Sequence, residues 1–220
     1  MPGWLALRIA KNARHALGST FIETHCTNLM LILRPHTPQP SPYLTAMTII
    51  VHPHDTDQQT TRKRCFNPVV DQQTRLLILG SLPGEKSLAL EQYYGNRQNR
   101  FWQLMSDVIG ADLVHIDYAL RLQTLLTQRI GLWDVVADAH RPGSLDSNIR
   151  NRNDNDLPGL LAQLPNLMSI AFNGATAARI GLKVLGETAS RYRILQLPSS
   201  SPAYTLPYPE KLAAWEKLKE

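Results

Sequence analysis

The stretch Leu76-Leu77-Ile78-Leu79-Gly80-Ser81-Leu82-Pro83-Gly84 decides the architecture. Four apolar residues in unbroken succession, stopped by glycine, suit a strand covered on both faces rather than one with a wet side. A parallel sheet provides that setting, and parallel strands need crossover connections, usually helices. The chain downstream supplies them. Helical spacing marks Phe101–Ile109 and Tyr118–Leu126, a second strand is expected at Ile130–Val136, and a third at Leu167–Phe172, stopped by Asn173-Gly174. A helix over Ala175–Val184 leads to a fourth strand, Tyr192–Leu197, and a last helix runs from Pro209 to Lys219 with proline in its first turn. The expected fold class is α/β: three α/β/α layers around a central four-stranded parallel sheet. Ligands in such sheets bind beyond the carboxyl ends of the strands, so the loops after the strands are the places to search for chemistry.

Composition sets limits without choosing a function. A chain of 220 residues fits one domain plus an extension, and 43% apolar residues suffice for a core. No run of about 18 uncharged apolar residues occurs, so no membrane span is expected. Two cysteines, Cys26 and Cys65, exclude a disulfide framework and a four-cysteine iron–sulfur or zinc site, and they fit a reducing cytoplasm. The net charge of +5 points towards nucleic acid, but residues 1–70 hold seven Lys/Arg against three Asp/Glu, while residues 71–220 hold sixteen against fifteen. A nearly neutral body must meet DNA with a local patch rather than a global field.

Residues 1–64 differ in kind from the rest. The first 70 residues carry five of the seven histidines and the run His36-Thr37-Pro38-Gln39-Pro40-Ser41-Pro42, with an irregular hydrophobic period apart from a short helical pattern at Trp4–Leu17. Residues 1–64 are expected to be an extension, either disordered or upstream sequence translated from a start codon set too early, with Met47 the candidate true start. A basic targeting peptide is the alternative. The histidine spacing matches no metal motif, and residues 65–220 are expected to form the catalytic domain.

Within that domain, Gly80–Gly84 is neither a dinucleotide fingerprint nor a P-loop, because the glycine spacing differs and no Gly-Lys-Ser/Thr follows. Two glycines and a proline make a tight turn that brings backbone N–H groups near a ligand; taken alone, an ordinary strand–helix turn is the simpler explanation. Tyr93-Tyr94-Gly95-Asn96-Arg97-Gln98-Asn99-Arg100-Phe101-Trp102 sets rings and carboxamides around a glycine, which suits a pocket that stacks a base and bonds its edge. Phe101 and Trp102 read as core anchors. Asn99 reads as a helix N-cap or a pocket residue, and the two roles are compatible.

Taken in order, Gly80-Ser81-x-Pro83-Gly84, Gln92-Tyr93-Tyr94, Asn99-x-Phe101-Trp102, Gly131-Leu132-Trp133-Asp134-Val135, Gly143-Ser144-Leu145-Asp146-Ser147, Phe172-Asn173-Gly174 and Leu197-Pro198-Ser199-Ser200-Ser201-Pro202-Ala203 resemble the motifs of hypoxanthine-DNA glycosylases, a branch of the uracil-DNA glycosylase superfamily. The resemblance covers about residues 65–220. It implies a uracil-DNA glycosylase-like fold and hydrolysis of the N-glycosidic bond of deoxyinosine, leaving an abasic site. Two departures from uracil-cutting relatives matter: Leu82 stands where they carry a water-handling Asp or Asn, and Leu197 where they often carry His. Tyr204 stands where the resemblance implies Asn.

The resemblance implies that Asn99 takes over at the reacting centre, orienting water or bracing the sugar. Asp134 is the second catalytic candidate, contacting base or water, with a structural hydrogen bond as the commoner fate of such a residue. Gly80, Ser81, Tyr93, Tyr94 and Asn173 are the expected base-binding set; Asn173 doubles as a turn residue and the tyrosines as core. Pro198, Ser199, Ser200, Ser201 and Tyr204 are expected at the DNA backbone, with Tyr204 or Leu206 as a wedge. Arg97, Arg100, Arg141, Arg150 and Arg152 are candidates for the basic patch. Lys86 fits a solvated helix start better than a lyase nucleophile, so hydrolysis alone is expected. The expected partner is double-stranded DNA carrying a deaminated base, met by a monomer with no membrane, metal or cofactor. Two rival readings stay open, a uracil- or mismatch-specific glycosylase and a non-catalytic DNA-binding α/β module.

Overall fold

The structure, a computed structural model, describes residues 62–220. The run at 36–42, Met47 and the helical pattern at 4–17 lie outside the described residues. In chain order the elements are β1 (Arg62–Arg64), β2 (Leu76–Gly80), α1 (Glu85–Leu90), α2 (Phe101–Ile109), α3 (Tyr118–Thr127), β3 (Ile130–Asp134), β4 (Val136–His140), β5 (Arg150–Asp154), α4 (Leu157–Leu161), β6 (Ser169–Asn173), α5 (Ala175–Leu185), β7 (Arg193–Leu197) and α6 (Tyr208–Trp215). β2, β3, β6 and β7 form a four-stranded sheet of order β3-β2-β6-β7, parallel throughout.

The unbroken apolar run of β2 is explained by the two cores it separates. Leu77 and Leu79 point to one side with Ile170 and Phe172, against α4 and α5. Ile78 points to the other with Leu132 and Ala171, against α2, α3 and α6. Both faces are dry, so both registers of the strand carry apolar side chains. The pairing sets Gly80 opposite Asp134 and Asn173 opposite Leu197, so these carboxyl ends come out along one edge of the sheet. Among the described residues no helix is long and apolar enough to cross a membrane.

Two expectations need correction. The strand expected over Ile130–Val136 is two strands. β3 stops at Asp134, and Val135 and Val136 donate to the carbonyls of Gly80 and Ser81 at 2.9 and 3.1 Å, swinging the chain out of the parallel sheet. β4 then joins a second, antiparallel sheet of order β1-β4-β5. The sequence of this ribbon hides it: Arg62-Lys63-Arg64 and Arg150-Asn151-Arg152-Asn153-Asp154 hold none of the β-branched or aromatic residues that mark strands. For the same reason the boundary at residue 65 falls late. Arg62–Arg64 pair with β4, Arg62 ion-pairs with Asp138, and Lys63 reaches Glu85 at 2.9 Å.

Gly181, in the middle of α5, lets that helix lie close on the sheet. A Cβ there would stand 2.2 Å from Phe172 Cε1 and 3.0 Å from Val135 Cγ1, both in the packed core. Alanine is the better helix former, by about 1 kcal/mol, so propensity and packing oppose each other here. Packing should win: Gly181→Ala is expected to destabilise by about 1–3 kcal/mol, the usual cost of overfilling a core. Calorimetry would show a lowered Tm, and an unchanged or raised Tm would mean that Phe172 yields.

Candidate active site

A cleft of about 490 Å³ opens over the carboxyl ends of the parallel strands. Gly80, Asp134 and Asn173 come from the strand ends, and Ser81, Tyr94, Asn99, Asp146 and the 199–204 loop complete the wall. At Gly80 a Cβ would sit 2.5 Å from Asp134 Oδ1 and 3.2 Å from the Tyr94 hydroxyl, so glycine keeps the space between these two groups clear. Leu82 and Leu197 are both buried in the two cores, outside this lining, so neither offers the cleft a polar group.

The paired tyrosines part company. Tyr94 takes a left-handed backbone (φ 53°) and lies flat on Phe101, ring centroids 3.7 Å apart, at the cleft wall. Tyr93 turns into the core, where its hydroxyl donates to the Asn67 carbonyl at 3.1 Å and Phe66 meets its ring edge-on. It lines no part of the cleft, so of the two expected base-stacking residues only Tyr94 stands at the site.

Asn99 serves the helix and the cleft together. Arg100 is the cap residue of α2 by backbone geometry, yet Asn99 Oδ1 is what accepts from the Phe101 N–H, at 3.0 Å. That bond fixes the carboxamide and leaves its Nδ2 hydrogens and one Oδ1 lone pair for a ligand. Asn173 is more fully committed. Its Nδ2 donates to Ser200 Oγ and its Oδ1 accepts from the Ser200 N–H, both at 2.8 Å, while the amide also bonds the Tyr94 hydroxyl. Three of its four hydrogen-bonding positions serve the protein, so Asn173 staples the last loop to the sheet while it lines the cleft.

The 198–204 loop is correspondingly divided. Ser200 is wholly buried, and its carbonyl accepts from the Arg100 N–H at 3.0 Å. Pro198 is held from behind, its carbonyl accepting from Trp215 Nε1 at 2.9 Å, and it lies outside the lining. Ser199, Ser201 and Tyr204 remain at the cleft edge; Tyr204 is 47% exposed, with Lys211 Nζ 5.4 Å from its ring centroid and bonded to its carbonyl at 3.0 Å. Of the basic candidates, Arg97 and Arg100 flank this loop on the surface, Arg152 pairs with Asp154, and Arg150 folds back on the Ser147 and Ile149 carbonyls. Lys86 is exposed on α1 at the cleft rim.

Arg141 corrects its assignment outright. It is wholly buried, donating to the Leu82 carbonyl at 2.9 Å and to the Pro83 carbonyl, and so pins the first loop rather than meeting DNA. Its guanidinium lies 3.6 Å from Asp146, which in turn accepts from Ser81 Oγ at 2.7 Å. Asp146 lies in the Gly143–Ser147 stretch, and the sequence signal for it was that stretch itself, to which no role was attached. Beside this network sits Asp134, buried, with Asn155 Nδ2 bonded to its backbone carbonyl at 2.8 Å. Among the described residues two buried side-chain atoms have no hydrogen-bond partner: Asp134 Oδ2 and Arg141 Nε.

Burial pushes the Asp134 carboxyl from 3.8 up to about 7; the Asp146 charge adds to the rise and Arg141 opposes it. Burial likewise raises Asp146, against its Ser81 hydrogen bond and Arg141. A folded-state value above the unfolded one means that the unfolded chain releases its proton first, so this group's stabilising contribution is full below pH 3.8 and lost as pH rises to about 7. Asparagine cannot titrate. The Tm of Asp134→Asn minus that of the parent should therefore climb from pH 4 to pH 7 and level off above, a pH series of melts being the measurement. A pH-independent difference would mean that the carboxyl titrates normally.

Comparison with known proteins agrees with this geometry. The family model for the uracil DNA glycosylase superfamily matches residues 67–219. A hypoxanthine DNA glycosylase of Methanosarcina acetivorans is 42% identical over 156 residues, covering 71% of this chain and 97% of that protein. A second, from Methanosarcina barkeri, is 44% identical over 113 residues, 51% of this chain and 72% of that one. The solution NMR structure of a candidate uracil DNA glycosylase from Methanosarcina acetivorans superposes with a TM-score of 0.64 at 41% identity, covering 71% of this chain and 96% of that one. With a parallel sheet of the same class, a cleft at its strand ends and a match from Asn67 to Lys219, the chain belongs to the uracil DNA glycosylase superfamily.

Proposed function

We propose that the protein is a monofunctional DNA glycosylase that hydrolyses the N-glycosidic bond of deoxyinosine in double-stranded DNA, releasing hypoxanthine and leaving an abasic site. The observation that carries this reading is the 42% identity to a hypoxanthine DNA glycosylase along 97% of that protein's length. The burial of Leu82 supports it, because an aliphatic side chain in the core cannot handle the water as the Asp or Asn of uracil-cutting relatives does. The enzyme works as a monomer in the cytoplasm on a catalytic domain that includes β1, and needs no cofactor.

Breaking the bond leaves cationic character on the sugar and negative charge on the base, and a site must stabilise both while admitting one water. Asn99 orients that water or braces the sugar. Its carboxamide is held by the Phe101 N–H, so it acts by placement rather than basicity. Tyr94 stacks on the extruded base, backed by Phe101. Ser199 and Ser201 hold the phosphates, and Tyr204 fills the gap in the stack.

Purified protein is expected to release hypoxanthine from an inosine-containing duplex with or without a metal chelator. Release of uracil alone would favour the uracil-specific reading. Asn99→Ala should slow single-turnover cleavage by about 100-fold or more while binding to the same duplex falls far less. Losing its bond to the helix start costs about 1 kcal/mol of stability, so melts accompany the kinetics. A rate within threefold of the parent would move the role away from Asn99.

A further inference from the structure

We propose that the Asp134 carboxyl group, in its protonated form, is the acid that gives a proton to the departing purine. The inference rests on the glycosylase reading and adds to it the residue that distinguishes a purine from uracil. Its basis is geometric. The side chain ends β3 at the floor of the cleft, it is buried, and Oδ2 has no partner within the protein. Gly80 leaves the space beside Oδ1 empty, and the Tyr94 hydroxyl borders the same space. A buried polar atom without a partner is costly unless something else uses it, and on this proposal a base set against Tyr94 presents a ring nitrogen to the Asp134 carboxyl.

The chemistry balances. As the glycosidic C1′–N9 bond breaks, its electron pair passes into the base. The Asp134 proton moves to another ring nitrogen, so the purine leaves neutral and the carboxyl becomes carboxylate. Water adds its oxygen to C1′ and releases a proton to solvent, from which Asp134 is recharged. Purines offer in-plane ring nitrogens with free lone pairs for this transfer. Neutral uracil has only carbonyl oxygens, because N3 already bears hydrogen, so the same acid gains much less on it.

The surroundings favour the acid form before reaction and tolerate the carboxylate after it. Asp146, from the loop after β4, disfavours a negative charge on Asp134, while the Tyr93 and Tyr94 hydroxyls and the Cys65 thiol, all held protonated by burial and by that carboxyl, face it as neutral groups. Arg141 is the opposing cation, and its Nε is unpartnered. Burial and Asp146 thus raise the share of the acid form well above that of an ordinary carboxyl group, and Arg141 stabilises the charge left when the proton goes.

The test is a single-turnover pH profile on an inosine-containing duplex from pH 5 to 9, with parent and Asp134→Asn. For the parent we expect a plateau at low pH and a rate that falls about tenfold per unit once the acid ionises. Asp134→Asn, which keeps the shape of the side chain, should be at least about 100-fold slower at pH 6 and lose the descending limb. Carbon-13 NMR of the labelled aspartates, with the variant identifying the Asp134 signal, should place its titration at the inflection of the profile. A parent rate that rises with pH through that range would make Asp134 a base for the water and overturn the proposal. So would a variant within threefold of the parent. Either result leaves hypoxanthine release intact, whereas no release at any pH would sink the glycosylase reading itself.

Discussion

Asn173 and Ser200 close a two-way hydrogen bond, side-chain amide to hydroxyl and backbone N–H to side-chain oxygen, at 2.8 Å each. Most of the cleft depends on it. The bond joins the end of β6 to the middle of the last loop, and the Ser200 carbonyl then receives the Arg100 N–H, which fixes the residue next to Asn99. Gly174 makes the close approach feasible. Its φ of +101° carries the chain away from β6, and a Cβ there would stand 3.1 Å from Ser199 Cβ. Replacing either partner would leave buried polar groups unpaired, which costs more than the net worth of the bonds.

A second constraint is electrostatic. Asp134 and Asp146 line the cleft beside the buried Arg141, and two acids cannot both ionise cheaply beside one buried cation. The arrangement divides the labour. Arg141 is tied to the loop carbonyls of Leu82 and Pro83 and lies nearest Asp146, while Asp134 is left without a donor for Oδ2. A carboxyl so placed is set apart from its neighbours by environment, not by type.

How much of this was legible in the sequence depended on periodicity. β2 and β6 follow from apolar runs stopped by Gly or Asn-Gly, and β3, β7 and the helices α2, α3 and α5 from the spacing of their apolar residues, because burial dictates those positions. β1 and β5 were invisible because their stability comes from pairing and ion pairs on short charged strands, and β4 because its first residue, Val136, reads as the end of the strand before it. At the site, residue type located Asn99, Asp134 and Tyr94 but could not tell Tyr93 from Tyr94, since the decision is a single left-handed backbone turn at Tyr94. Nor could it show that Arg141 is buried. An arginine in a loop reads as surface until the carbonyls it serves, 58 and 59 residues earlier, are seen.

The last loop is anchored from three directions: Asn173 from the sheet, Arg100 from the start of α2, and Trp215 from α6, whose indole N–H holds the Pro198 carbonyl. A loop fastened so has little freedom to close over a bound duplex. On the glycosylase reading the adjustment must then be made by the nucleic acid, which has to kink and unstack to fit a fixed mould. Such a protein reads mechanical softness: sites in flexible pyrimidine–purine steps, or opposite a poorly paired base, deform at lower cost and would be found first.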